Sequence, residues 1–432
     1  MFSQKKFLVS VVKASRLSRL GSSSAIQKPR VAVGMSGGID SAAAAYILQS
    51  SGYDVIGVFM ENWDSSDEAG ESACSYSQDL KDVQAVCNRL NIPLHKVSFI
   101  QEYWNEVFQP SLDIYESGTR TPNPDVACNK VIKFGLLKDY VKKNLGVGYL
   151  ATGHYARLAY ATKDGGLDIP NFGPEIQEHS AGYSAHYGNH RSPPQLLRGC
   201  DGSKDQSYFL SMTSADQLRD VIFPLGQFYK KDIRSMVSMP LRGLSVLTKP
   251  ESMGVCFIGK RKFSSFLENY ITMTPGRYID VDSGKVIGSH RGREALTVGQ
   301  RARIGGAKGR YFVVAESFAT SVIQGHQSKP GDVFVAFGSD HPALFSRTLR
   351  IENGHFSWVH SAATHLKRLG TGGIDLLFKA RYGQEPEKCT VKVNQSGDLE
   401  VEFYKDQRCI TPGQVCVLYD GDICLGGGLI AS

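Results

Sequence analysis

The chain predicts an α/β fold with a parallel sheet, followed by a small central domain and a C-terminal β-barrel. Three observations carry that prediction. From Val31 to about Leu150, short apolar runs alternate with helix-length amphipathic periods, as in strands whose crossovers cover both faces of a sheet. A glycine-bearing turn, Ser36-Gly37-Gly38, joins the first such run to an alanine-rich helix. From Gly276 onward the pattern changes to short alternating strands separated by turn residues, as in a small barrel.

Each element follows from its pattern. "VAVG" at Val31 opens the sheet, and the helix behind it ends near Gly52. "DVIGVFM" is the second strand; the next helix places Leu80, Val83, Cys87 and Leu90 on one face. "LHKVSF" and another helix follow, then a helix containing Ile132, Leu136, Leu137 and Tyr140 that leads into the strand "VGYLAT". Ala161 to Gln195 is polar and rich in Gly, Ser, His and Pro, and is expected to be a flexible insertion. Helices resume at Ser214-x-x-Gln217, a capping-box pattern, and around Phe263 to Tyr270. Hairpins are expected about Ser283-Gly284 and Ser396-Gly397. The expected divisions are a leader over 1–30, a nucleotide-binding domain over 31–240 with its insertion at 161–195, a central domain over 241–325 and the barrel over 326–432.

Charge is informative only once it is located. The 432 residues carry 49 Lys and Arg against 42 Asp and Glu, a net charge of +7. Lys5, Lys6, Lys13, Arg16, Arg19, Lys28 and Arg30 lie in the first thirty residues, where no acid occurs. Without those seven the remainder is balanced at 42 against 42, so net charge is no signal for RNA binding. The segment is also Ser-rich, with Phe7, Leu8, Val11, Val12 and Ala14 able to line one side of a helix, the composition of a mitochondrial presequence. A basic disordered tail is the alternative. No apolar run approaches the ~20 residues of a membrane-spanning helix.

A strand, glycine turn and helix start make a phosphate cradle, because backbone N–H groups and the positive end of the helix face the same oxyanion. This loop lacks the lysine of a Walker A motif and the third glycine of a dinucleotide fingerprint. What remains is SGGxDS, which suits pyrophosphate, with Asp40 beside it as a candidate Mg²⁺ ligand. Of nine cysteines none forms a CxxC pair or zinc spacing. Cys87, Cys389, Cys416 and Cys424 fall in helix stripes or strand-like runs and are expected in the core. Cys128 instead follows the turn-rich "GTRTPNPD" and is expected at a helix N-terminus, where a thiolate is stabilised, with Asp125 one turn upstream to move a proton or merely cap the turn. Cys256 is flanked by Gly254 and Gly259, with Lys260, Arg261 and Lys262 downstream, which favours a thiolate or an incoming phosphate backbone; a buried strand cysteine is the plain alternative.

The SGGxDS loop resembles that of the PP-loop ATP pyrophosphatases, of adenine nucleotide α-hydrolase-like fold. Taken with "FMENW", "GTRTPNPDVACNKVIKFG", "ATGHYAR", "DGSKDQSYFL", "GVCFIGKRKF", "TVGQR", "TPGQ" and "CLGGGLI", it is similar to the tRNA-specific 2-thiouridylase family in its mitochondrial form. The resemblance runs from about Val31 to Ile430. It implies ATP contacts from Gly34, Met35, Ser36, Gly37, Gly38, Ile39, Asp40, Ser41, Met60 and Gly153, with Mg²⁺ as the metal. It implies that Asn123, Pro124 and Asp125 face the target base. His154, Lys204, Asp205, Gln206, Arg381, Tyr382 and Gln414 would add tRNA contacts, and Cys128 and Cys256 would form a catalytic pair that ends as a disulfide. The expected reaction is adenylation of oxygen 2 of the wobble uridine in the anticodon arm of Lys, Glu and Gln tRNAs, then sulfur transfer from a persulfide delivered by a cysteine desulfurase-derived donor protein in the mitochondrial matrix. Two other readings stay open: another PP-loop adenylating synthetase, which needs no cysteine pair, and a non-catalytic RNA-binding protein with a barrel module.

Overall fold

The computed structural model describes residues 28–63, 76–118, 120–172, 192–250, 263–315, 329–360 and 372–431. The first strands are β1 (Arg30–Met35), β2 (Asp54–Glu61), β3 (Leu94–Ser98) and β4 (Tyr149–Ala151). Three strands that serve another sheet follow, β5 (Ala156–Ala161), β6 (Leu167–Asp168) and β7 (Gln195–Arg198), before β8 (Val221–Ile222) returns to the first. That first sheet is parallel throughout, in the order β3-β2-β1-β4-β8. Val31, Ala32 and Val33 of the central β1 are fully buried, which is why the strand reads as an unbroken apolar run.

Helix α1 (Ile39–Ser50) packs on β1 and β2 through Ala42, Ala43, Ala44 and Ala45, small side chains that allow close approach to the sheet. Helix α2 (Tyr76–Leu90) buries Val83, Val86, Cys87 and Leu90, each apolar side chain gaining roughly 1.5–3 kcal/mol of transfer free energy if fully removed from water. The chain between β3 and β4 is helical with two π-helical stretches, Trp104–Phe108 and Asn129–Leu137. The second directly continues α3 (Pro124–Cys128). The capping box at Ser214 forms with both its hydrogen bonds.

Strands β9 (Gly276–Asp280), β10 (Val286–His290), β11 (Arg301–Ala302), β12 (Tyr311–Val313) and β13 (Val333–Phe337) form the central sheet. The β9–β10 hairpin turns at Gly284, which has φ of +65°. The central sheet extends past the boundary expected at 325, because β13 pairs with both β9 and β12.

The C-terminal strands are β14 (Phe345–Ile351), β15 (Phe356–Trp358), β16 (Ile374–Lys379), β17 (Glu387–Val393), β18 (Leu399–Arg408), β19 (Val415–Asp420) and β20 (Ile423–Leu429). The second expected hairpin, β17–β18, is present. Leu399, Val401 and Phe403 point inward between exposed Glu400 and Glu402, and Phe403 stacks on Phe378 at 4.4 Å. The sheet then continues from β20 into β7, β5 and β6. Residues 161–172 of the expected insertion therefore begin with strand pairing, since β6 adds to the edge of β5; residues 173–191 lie outside the described residues. Further bonds weld the two halves: Tyr208 Oη donates to Val415 O at 3.0 Å and Ala215 N to Val359 O at 2.7 Å. Among the described residues no helix is long and apolar enough to cross a membrane.

Candidate active site

The loop after β1 lies at the carboxyl edge of the parallel sheet, where β2 continues to one side and β4 lies on the other. In such sheets this switch of direction opens a crevice for ligands. Ser36 N donates to Ser41 Oγ at 3.1 Å and Ser41 Oγ donates to Gly38 O at 3.0 Å, so the loop is braced by its own last residue. Gly38 caps α1 without a side-chain hydrogen bond, leaving first-turn N–H groups for an anion. Gly37 has φ of +75°, and a Cβ there would sit 2.8 Å from Asp79 O of α2. Gly153, just past β4, backs onto α1: its Cβ would lie 2.7 Å from the Asp40 carbonyl carbon and 2.9 Å from Ser41 N. Glycine is required at both positions. Gly34, Met35, Ser36, Gly37, Gly38, Ile39, Asp40 and Ser41 form one continuous strand end, loop and helix start backed by Gly153; Met35, Ile39 and Ser41 are buried beneath it, and half-buried Met60 stands next to last in the neighbouring β2.

Asp40 Oδ1 accepts from Tyr155 Oη at 2.9 Å and from Lys230 Nζ. Among the described residues no group of three or more His, Cys, Asp or Glu side chains forms a metal cage. The donor set fits a Mg²⁺ held mainly by phosphate oxygens, with Asp40 as the protein carboxylate, since Mg²⁺ keeps most of its water and takes one or two carboxylates. Behind the loop, Lys249 Nζ donates to Gly37 O at 3.1 Å, to Asp82 Oδ2 at 2.7 Å and to Asp79. Burial opposes the charge of Asp82, yet hydrogen bonds from Lys249, Ser245 and Gln78 hold its carboxyl below the usual range. Tyr155, Lys230, Asp79, Asp82 and Lys249 were not singled out from the sequence. The "GHYAR" block marks Tyr155, whereas the lysines carry no local signal at all.

The second region surrounds Cys128. Asn123 Oδ1 accepts from Val126 N at 3.3 Å, and Pro124 occupies the first helical position with its pre-set φ. The helix therefore starts four residues before Cys128. That corrects the expected placement at a helix N-terminus: the thiol is buried one turn further in, and the helix dipole acts mainly on the first turn. Burial raises the pKa of Asp125, with Lys133 opposing. Cys87, Cys389, Cys416 and Cys424 are in the core as expected; burial pushes the Cys87 thiol up to about 11 and that of Cys389 to about 12. Cys256 lies outside the described residues.

Distant segments converge on α3. Gln414 Nε2 donates to Thr121 O at 3.0 Å and Pro122 O at 3.3 Å, while its Oε1 accepts from Asn123 Nδ2 at 3.5 Å. Gly413 (φ +84°) makes this possible, because a Cβ would meet Thr121 N at 2.9 Å. Asn129 Nδ2 donates to Asp125 O and Phe209 O, and the Phe209 ring packs on Tyr382 at 4.6 Å. Arg381 beside it is exposed. Gln206 Oε1 accepts from Tyr155 N at 3.0 Å and Lys204 is half-buried in the preceding turn.

Two expected RNA-contacting side chains turn inward instead. His154 is 9% exposed, packs between Phe134 and Phe223, and lies 2.7 Å from Thr152 Oγ1. Burial, with Lys133 adding to it, drives its pKa well below the usual histidine range and leaves it neutral. Asp205 is 1% exposed and accepts from Gly199 N and Ser207 N at 3.0 and 3.1 Å, beside Arg198 and buried Lys379. Both side chains brace the fold from within, so any RNA contact at these positions falls to their backbone.

Comparison with known proteins covers nearly the whole chain. Families described as the tRNA methyl transferase HUP domain, the tRNA methyl transferase PRC-barrel domain and the aminomethyltransferase beta-barrel domain match residues 29–260, 264–324 and 346–430. The chain is 42% identical to the mitochondrial tRNA-specific 2-thiouridylase 1 of Gallus gallus, covering 93% of this chain and 91% of that one. The Homo sapiens protein of the same name is 40% identical, over 93% and 90%. The tRNA-specific 2-thiouridylase MnmA of Halalkalibacterium halodurans is also 40% identical, over 94% and 95%.

Proposed function

The chain belongs to the tRNA-specific 2-thiouridylase family, and from that premise we propose that it uses ATP and a persulfide to convert the wobble uridine of mitochondrial tRNA to 2-thiouridine. The observation that carries the reading is the braced SGGxDS loop with its uncapped helix start, closed by Gly153 at the switch point of the sheet. ATP supplies the adenylyl group that makes uracil oxygen 2 a leaving group. The residues Gly34 to Ser41, Met60 and Gly153 position it, and loop N–H groups stabilise the departing pyrophosphate; Asp40 would hold a Mg²⁺, which would add charge neutralisation there.

Asn123, Pro124 and Asp125 hold the base, with Asp125 moving a proton. Lys204, Gln206, Arg381, Tyr382 and Gln414 take the anticodon arm of Lys, Glu and Gln tRNAs. Cys256 receives sulfur as a persulfide from a desulfurase-derived donor. Either the persulfide attacks carbon 2 directly, or Cys128 first releases sulfide that attacks it. In both routes the terminal sulfur leaves reduced by two electrons, the two thiols become a Cys128–Cys256 disulfide, and an external thiol resets them. Residues 1–30 direct the protein to the matrix.

Cys128→Ser and Cys256→Ser should each abolish 2-thiouridine, read by mass spectrometry of tRNA nucleosides, while keeping tRNA-dependent pyrophosphate release. Release without tRNA dependence would favour a different PP-loop synthetase. No release at all from wild type would leave an RNA-binding protein.

A further inference from the structure

The loop from Gly34 to Ser41 contains no lysine, yet a nucleoside triphosphate brings several negative charges. A helix N-terminus offsets only about half an elementary charge. Among the described residues, two ammonium groups from far along the chain reach the loop, and their surroundings differ. Lys249 faces two carboxylates, Asp79 and Asp82, and donates also to Gly37 O. Its charge is more than balanced, and it acts as a pin behind the loop. Lys230 pairs with the carboxylate of Asp40, in the first turn of α1. The Asp40 side chain is 35% exposed, against 3% for Asp82, while Lys230 itself is 12% exposed and Lys249 27%.

The root of Lys230 is fixed in the helix, and its ammonium sits at the end of a long stem. It is the first residue of α4 (Lys230–Ser238), and its backbone N–H donates to Asp201 Oδ2 at 3.0 Å. Its ammonium stands 5.4 Å from the centre of the Tyr155 ring, and Tyr155 Oη shares the same Asp40 oxygen. A lysine stem is long and flexible, so the head can shift by a few ångström without moving the helix. An anion on the α1 N-terminus arrives beside that ammonium.

We propose that Lys230 is the phosphate-binding cation of this site, held ready by Asp40 and transferred from the Asp40 carboxylate to a phosphate oxygen when the triphosphate enters. This rests on the reading of the loop as an ATP site. Lys230 thereby supplies from α4 the charge that a Walker lysine supplies from within its own loop.

The test is the affinity of the full-length protein for ATP and for AMP, by titration calorimetry in EDTA, with melting temperatures measured alongside. Wild type should prefer ATP. Lys230→Met should lose ~10- to 100-fold in ATP affinity, as for a charged hydrogen bond, with AMP affinity changed by less than about twofold. Lys230→Arg should retain most of the preference. Asp40→Asn, which releases the ammonium from its carboxylate, should keep or widen it. An unchanged ATP preference in Lys230→Met would overturn the proposal and leave Lys230 a structural partner of Asp40. Should that variant fail to fold, a narrowed preference in Asp40→Asn overturns it equally. Wild type that binds neither nucleotide would instead remove the ATP reading itself.

Discussion

The SGGxDS loop and the surroundings of Cys128 are built in opposite ways. The first is braced mostly within itself, between Ser36, Gly38 and Ser41, and then backed by Gly153 and α2. The second exists only where three remote stretches meet: α3, the turn leading to Phe209, and the C-terminal loops at Tyr382 and Gln414. The glycine loop is thus shaped mainly by one parallel sheet and its first helix, whereas the surroundings of Cys128 draw on stretches from the whole chain. Under the proposed function, activation and sulfur transfer rest on separable structural supports.

The strongest way to break the comparison is Gly153→Ala. Its methyl group meets backbone atoms on both sides of the Asp40–Ser41 peptide, so the loop must move. Pyrophosphate release should fall ~100-fold or more, the scale of loss when a positioned group shifts by about 1 Å. Binding of tRNA, followed by filter retention, should persist. Joint loss of both would mean that the two regions are not separable.

Gln414→Ala acts from the other side. It removes two hydrogen bonds to carbonyls of the Thr121–Pro122 turn, each worth roughly 0.5–1.5 kcal/mol. The kcat/KM for tRNA thiolation should drop ~10-fold, and ATP affinity should stay at the wild-type value. An equal fall in ATP affinity would contradict the separation.

The smallest effect sharpens the comparison from behind the loop. Asp82 has its folded pKa below the unfolded value, so its contribution is present above about pH 3.8 and is lost as pH falls through the folded pKa. Asp82→Asn should lower the melting temperature at pH 7, and its deficit against wild type should shrink below pH 4. A deficit that is constant with pH would mean that the carboxylate charge is not what matters.

The parallel sheet was legible because its signals are local. A buried central strand must be apolar on both faces, and Val31 to Val33 are; an amphipathic helix must repeat its apolar residues, and Val83, Cys87 and Leu90 do. The hairpins at Gly284 and Gly397 announced themselves by turn residues. The start of α3 was misplaced by one turn, although Asn123-Pro124 carried the cap and first-turn signals. His154 and Asp205 were legible as polar residues in marked blocks, but polarity does not tell whether a group faces water or an internal partner.

What the amino-acid order determined alone is therefore everything set within a few residues: strand and helix periods, turns, the glycine loop and the acid-free composition of the first thirty residues. Tertiary structure decided the rest. It placed Lys230 on Asp40 across 190 residues and Lys249 on Gly37 across 212, and it joined β20 to β7. No periodicity records such pairings, since a lysine reads the same whether its ammonium meets solvent or a carboxylate brought up by the fold. Close approach of the backbone is what selects the partner, and only the folded chain brings those backbones together.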